Sequence, residues 1–163
     1  MGTYDKLRDE LSSGDLVFFR ESGGGFWPRL IRRATMSDYC HVGVVWRAGD
    51  RVFVLEARQA QGVSLRLLSE ALPVDWIKTG CRWTLDVETA ALMRLQTRYS
   101  IWAAIALGLG IAPPDQAEAC SLFATDAIWP GLAPMPAPER RGLTPGHLAE
   151  IFMAAGALSA TLN

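Results

Sequence analysis

The chain has 163 residues, half of them apolar and a fifth charged, with a formal net charge of −1. That length suits one domain able to bury a core, and near-neutrality leaves no bulk electrostatic pull toward nucleic acid or an anionic membrane. The sixteen cations are scattered, fourteen Arg and two Lys, and the three widely spaced cysteines point to a reducing compartment rather than a disulfide scaffold.

Met1 to Gly14 is polar with both signs of charge and no apolar stretch of a signal peptide, so a cytoplasmic location is the expectation. Asp15-Leu-Val-Phe-Phe-Arg20 reads as an apolar strand opened by Gly14. Gly23 to Gly25 break it, and Phe26 to Ala34 reads as a short helix with Pro28 in its first turn. His41 to Trp46 and Arg51 to Ala57, rich in Val and Phe, flank Arg47-Ala48-Gly49-Asp50 and predict a β-hairpin. Gly62 to Leu67 alternates, with Val63, Leu65 and Leu67 against Ser64 and Arg66. Cys81 to Leu85 alternates again, with Cys81, Trp83 and Leu85 on one face. From Asp86 the period turns helical. Asp86 is the expected N-cap of a helix containing Leu92, Met93 and Leu95, with Glu88 in its first turn. The apolar run Ile101 to Ala112 is twelve residues, too short to span a bilayer. It reads as a buried helix, with an interfacial contact as the alternative. After Pro113-Pro114, Cys120 to Trp129 reads as a helix stopped by Pro130-Gly131, and residues 133–142 as a loop. Thr144-Pro145 then opens a last helix through Ala155, ended by Gly156. Strands precede helices without internal repeat, which predicts one α+β domain over residues 1–163.

Chemistry concentrates at the hairpin. With a loop of Ala48-Gly49, or of residues 47–50, Trp46 falls opposite Arg51 and His41 opposite Glu56. Opposed residues place their Cβ atoms about 5 Å apart, which suits an imidazole–carboxylate hydrogen bond. A slip of two residues keeps them diagonal on one face, and only a slip of one separates them. A surface His–Glu pair is the plain alternative. Against it, Val52 and Val54 share the face of Glu56, and Gly43 and Val45 that of His41. Gly43 leaves room beside the imidazole. The histidine needs a nucleophile, and Cys120 at a helix start is the best placed, because free N–H groups and the helix dipole favour a thiolate there. The same N–H groups suit an oxyanion. A lone cysteine is otherwise a small buried hydrophobe, the reading that fits Cys81 and Cys40. Ser121 follows Cys120 and completes the helix start. His147 reads as a surface residue, since no carboxylate is placed to orient it. Cys40 and His41 are strand neighbours on opposite faces, so no metal is expected, and no cofactor is called for.

Gly14-Asp15-Leu16-Val17-Phe18-Phe19 followed by His41-Val42-Gly43-Val44-Val45 resembles the barrel strands of the NlpC-type, papain-like cysteine peptidases. In their usual order the nucleophilic cysteine precedes these strands, and here none lies upstream of Asp15. The order His41, Glu56, Cys120 instead resembles the circularly permuted branch, the YiiX/YaeF-like amidases, related in fold to lecithin retinol acyltransferase. The resemblance runs from about Gly14 to about Leu148. It takes in Val54-Leu-Glu56-Ala57, Gly62-Val63, Leu68-Ser69-Glu70, Cys120-Ser121 and Thr144-Pro145-Gly-His-Leu148. It implies a permuted papain-like fold, an antiparallel sheet or barrel packed against helices. It also implies a Cys120–His41–Glu56 triad working through an acyl-enzyme, with the Cys120 backbone N–H as an oxyanion donor. The family often has an aromatic just before the cysteine and a Glu two residues after it, where this chain has Ala119 and Leu122. Tyr99 and Tyr39 are candidates for lining or closing the substrate pocket.

The leading expectation is a cysteine peptidase or amidase acting on a small-molecule or peptide substrate, such as a cell-wall peptide or an N-acylated small molecule. The alternative is acyl transfer or lipid deacylation by the same triad, with the run 101–112, Trp27 and Trp102 as an acyl-binding wall and a lipid or membrane as contact. A non-catalytic binding module is a third reading, opposed by the intact Cys, His and Glu. Nucleic acid is not an expected partner.

Overall fold

The computed structural model describes residues 2–20, 37–59, 61–111, 119–132 and 134–163, apart from the side chain of Ile101. The expected break at Gly23 to Gly25, the helix Phe26 to Ala34, Trp27 and Pro113-Pro114 lie outside the described residues. The strands are β1 (Leu16–Arg20), β2 (Tyr39–Ala48), β3 (Arg51–Arg58), β4 (Gly62–Leu67), β5 (Val74–Ile77) and β6 (Ser159–Leu162). They form one antiparallel sheet in the order β4-β3-β2-β1-β5-β6. The described helices are α1 (Thr3–Leu7), α2 (Leu85–Leu92), α3 (Ile101–Gly108), α4 (Cys120–Ile128) and α5 (Pro145–Ala154).

The fold is α+β, as expected, but the sheet is open rather than a barrel. Its edges, β4 and β6, are not paired with each other, whereas closure requires every strand to have two neighbours. β1 lies between β2 and β5 and is covered on both faces, which is why Leu16 to Phe19 is an unbroken apolar run instead of an alternating one. Leu16 and Phe18 join Val42, Val44 and Leu55 in a core with Leu122, Phe123 and Leu148 from the helices. Val17 and Phe19 join Val45, Val54 and Trp76 in a second core across the sheet, closed by Leu11 and Leu68.

The β2–β3 hairpin forms, with its two-residue turn one position later than Ala48-Gly49. Ala48 pairs with Arg51, so Gly49-Asp50 makes the turn, with Gly49 at φ +59°. The register moves by two residues: Gly43, not His41, stands opposite Glu56, and His41 is diagonal to it on the same face. At Gly43 a Cβ would lie 2.4 Å from Val54 Cγ2 and 3.4 Å from Glu56 Cβ, so the room that this glycine leaves is filled from β3.

One strand expectation and three helical ones need correction. Residues 81–84 form no strand, and Leu85, 78% exposed, opens α2. The N-cap is Thr84, whose Oγ1 accepts from Val87 N at 3.4 Å, so Asp86 lies in the first turn and the helix ends before Met93 and Leu95. A capping threonine there competes with the short alternating pattern and wins. α3 is only half buried: Ala103 and Leu107 face inward, while Trp102 is 77% exposed. α5 starts and stops as expected, with Thr144 as N-cap and Gly156 at φ +77° just beyond it. Strands β5 and β6 had no clear sequence signal. Each is four residues long, and β5 carries Asp75 inside it.

Candidate active site

A bulge at the start of β2 shapes the site. Phe19 pairs with His41 and Arg20 with Tyr39, which leaves Cys40 as the extra residue. Bulges bend a strand and re-aim its side chains. Cys40 and His41, expected on opposite faces, here both border Cys120: Cys40 lines the pocket beside it, and the charges of His41 and Cys120 act on each other.

Cys120 is the first residue of α4, following Ala119 in extended conformation. The His41 imidazole, and after it the backbone N–H groups of Val42 and Ser121, favour its thiolate form. His41 Nε2 lies 2.7 Å from Glu56 Oε2, which leaves Nδ1 for the thiol. Glu56 is wholly buried, whereas the imidazole is about one-fifth exposed. Two guanidinium groups reach the same carboxylate. Arg66 Nε is 2.5 Å from Oε1 and its Nη2 donates to Oε2 at 3.5 Å, while Arg58 Nε is 3.9 Å from Oε1.

Electrostatics link the three groups. Burial works against a charged His41, but the negative charge and hydrogen bond of Cys120, followed by those of Glu56, hold its pKa up at about 9. Burial also opposes ionisation of Cys120, and His41 together with the two N–H groups overcomes this and lowers the thiol below its ordinary value. Glu56 behaves likewise. Burial raises it, and His41 with Arg66 brings it below the usual carboxylate range. Cys81 is the opposite case, since burial and then Asp15 push its thiol up to about 11.

Of the two tyrosines, Tyr99 stands at the thiol. It lines a pocket of about 20 Å³ with Cys40, Ala104, Leu107, Cys120 and Pro145. Burial, and after it the Cys120 charge, push its phenol well above the ordinary range. Tyr39 lines a different hollow, about 750 Å³, with Arg20, Asp75, Glu150 and Thr161. Its hydroxyl donates to Asp75 Oδ2 at 2.9 Å. Ser121 Oγ is engaged with Leu143 O at 2.5 Å, a tether inside the core. His147 is exposed, as expected, with Nδ1 3.4 Å from Gly142 O. Sequence reasoning passed over Arg66. Alternation along β4 puts it on the face of Glu56, and only the β3–β4 register shows that it reaches that carboxylate.

Among the described residues no group of three or more His, Cys, Asp or Glu side chains is arranged to hold a metal ion, and no helix is long and apolar enough to cross a membrane. No protein-family model and no curated protein matches the chain. Among solved structures it is similar to the metalloprotein yiiX from Escherichia coli O157:H7 (DUF1105), with a TM-score of 0.55 and 17% sequence identity. The match covers 74% of this chain and 66% of that one. At that identity the likeness is one of fold.

Proposed function

We propose that the chain is a cysteine-dependent hydrolase of amide bonds, a member of the permuted NlpC-type papain-like branch, with Cys120 as nucleophile, His41 as acid and base, and Glu56 orienting the imidazole. The observation that carries this reading is the hydrogen bond from His41 to a wholly buried Glu56 beside Cys120, with the thiol lowered and the imidazole raised by each other's charge. Both directions favour the thiolate–imidazolium form of the pair. The thiolate attacks the amide carbon, and the Cys120 backbone N–H at the start of α4 is a donor for the oxyanion. As the C–N bond breaks, His41 gives its proton to the departing amine. In the second half His41 takes a proton from water, whose oxygen displaces the thiolate and releases the acid. Glu56 keeps Nε2 engaged throughout, so the imidazole turns the same nitrogen to the sulfur in both halves.

Alkylation by iodoacetamide across pH, with mass mapping of each cysteine, tests the pair. Cys120 is expected to label selectively near pH 6, and His41→Ala to abolish that selectivity. Equal labelling of all three thiols in both proteins would refute the reading.

Acyl transfer or lipid deacylation is the second reading. It draws on α3, whose Ala104 and Leu107 line the thiol pocket while Trp102 faces outward. Turnover of short peptide amides without lipid supports the hydrolase; turnover only of acyl chains in micelles supports the alternative.

A further inference from the structure

Glu56 is a fully buried carboxylate, and His41 is not the only cation beside it. Its neighbours come from every side. His41 reaches it from β2, Arg66 from β4, and Arg58 from its own strand, while Cys120 and Tyr99 face it only through the imidazole and the sulfur. Arg66 makes the closest cationic contact, with Nε 2.5 Å from Oε1 and Nη2 3.5 Å from Oε2, and its side chain is 27% exposed. Its guanidinium also lies 5.3 Å from the centre of the Phe19 ring, and that ring packs 5.1 Å from the His41 ring. Arg66 therefore touches the carboxylate directly and the imidazole through Phe19. A planar fork set beside both oxygens, 2.5 Å from Oε1 and 3.5 Å from Oε2, and over an aromatic ring brings shape as well as charge to the carboxylate, which a lysine in its place cannot do.

We propose that Arg66 is a positioning residue for the reaction: it keeps the Glu56 carboxylate charged and aimed at His41 Nε2, and so sustains the Cys120 thiolate at acid pH. The proposal rests on the hydrolase reading but not on its substrate. Losing the cation leaves Glu56 with the cost of burial and one partner. On acidification it then protonates earlier, and the imidazolium and thiolate lose their support at a higher pH. A removed partner charge at this range shifts a carboxylate by about 1–3 pH units.

The experiment is the pH profile of Cys120 alkylation by iodoacetamide in the full chain, for wild type, Arg66→Gln and Arg66→Lys, with thermal denaturation run in parallel. The acid limb of the profile should move up by about 1–3 units in Arg66→Gln, and only partly return in Arg66→Lys, which restores charge without the fork. A lowered melting temperature with an unmoved acid limb would reduce Arg66 to a structural ion pair and overturn the proposal. Loss of selective Cys120 labelling in the wild type would instead overturn the hydrolase reading, so the two failures are separable. If Arg66→Gln does not fold, Arg66→Lys and Phe19→Leu carry the test. Phe19→Leu removes the stacking platform and should move the limb in the same direction, and an unmoved limb in both would reject the proposal.

Discussion

Three cysteines in one chain meet three different surroundings, and those surroundings decide their chemistry. Burial beside Asp15 makes Cys81 a poor acid at about 11, and Cys40 occupies the bulge with Sγ 3.4 Å from Phe19 O. Cys120 has its thiol lowered by the His41 imidazole and, after it, by the backbone N–H groups of Val42 and Ser121. The coupling runs both ways, so removing the sulfur should be visible at the histidine. In Cys120→Ala the His41 pKa is expected to drop from about 9 by about 1–3 units, because its first stabilising partner is gone. Imidazole proton shifts followed by NMR across pH measure this directly, since His147 is the only other histidine; an unchanged titration would mean that sulfur and ring do not interact. The His41–Glu56 pairing was legible in the sequence because a two-residue slip preserves the face, so the wrong register still led to the right neighbours. The placement of Cys40 was not legible, because strict alternation does not hold at a bulge.

At the scale of elements, the hairpin brings His41 and Glu56 together from adjacent strands, and its packing leaves no spare volume beside Gly43. Gly43→Ala would drive a methyl into Val54, whose β-branched side chain is fully buried and cannot turn aside. The expected cost is about 1–3 kcal/mol of stability, read by urea denaturation, together with slower alkylation of Cys120 as Glu56 is displaced. Full retention of both stability and labelling rate would show that the strands can part freely at that point. The helix carrying Cys120 was readable from Pro130-Gly131 at its end and its apolar run, and the last helix from Thr144-Pro145. Residues 81–85 misled because five alternating residues are too few to outweigh the cap that Thr84 makes with Val87 N. Strands β5 and β6 were silent because each is held by its neighbours rather than by its own pattern.

Across the whole molecule, one buried acid ties the sheet together. Asp75 on β5 accepts from Arg20 Nε on β1 at 2.6 Å, Tyr39 Oη on β2 at 2.9 Å and Thr161 Oγ1 on β6 at 2.6 Å. Burial opposes its charge, yet Thr161, Arg20 and Tyr39 bring its pKa below the ordinary 3.8. Its contribution to stability is therefore present above that value and lost as pH falls through the lower, folded one. Asp75→Asn is expected to destabilise the chain by about 1–3 kcal/mol at neutral pH. The gap to wild type should narrow only below pH 3.8, where the native carboxyl also protonates, and urea titrations at several pH values check this; a gap that stays constant with pH would discount the ionised form.

The order of the parts along the chain has a consequence for synthesis. The hairpin bearing histidine and glutamate leaves the ribosome well before the helix bearing the sulfur. Because hairpin contacts are local, the strands can pair while that helix is still inside the exit tunnel. A product cut short ahead of residue 120 would carry the His41–Glu56 pair without the thiol whose ionisation that pair favours.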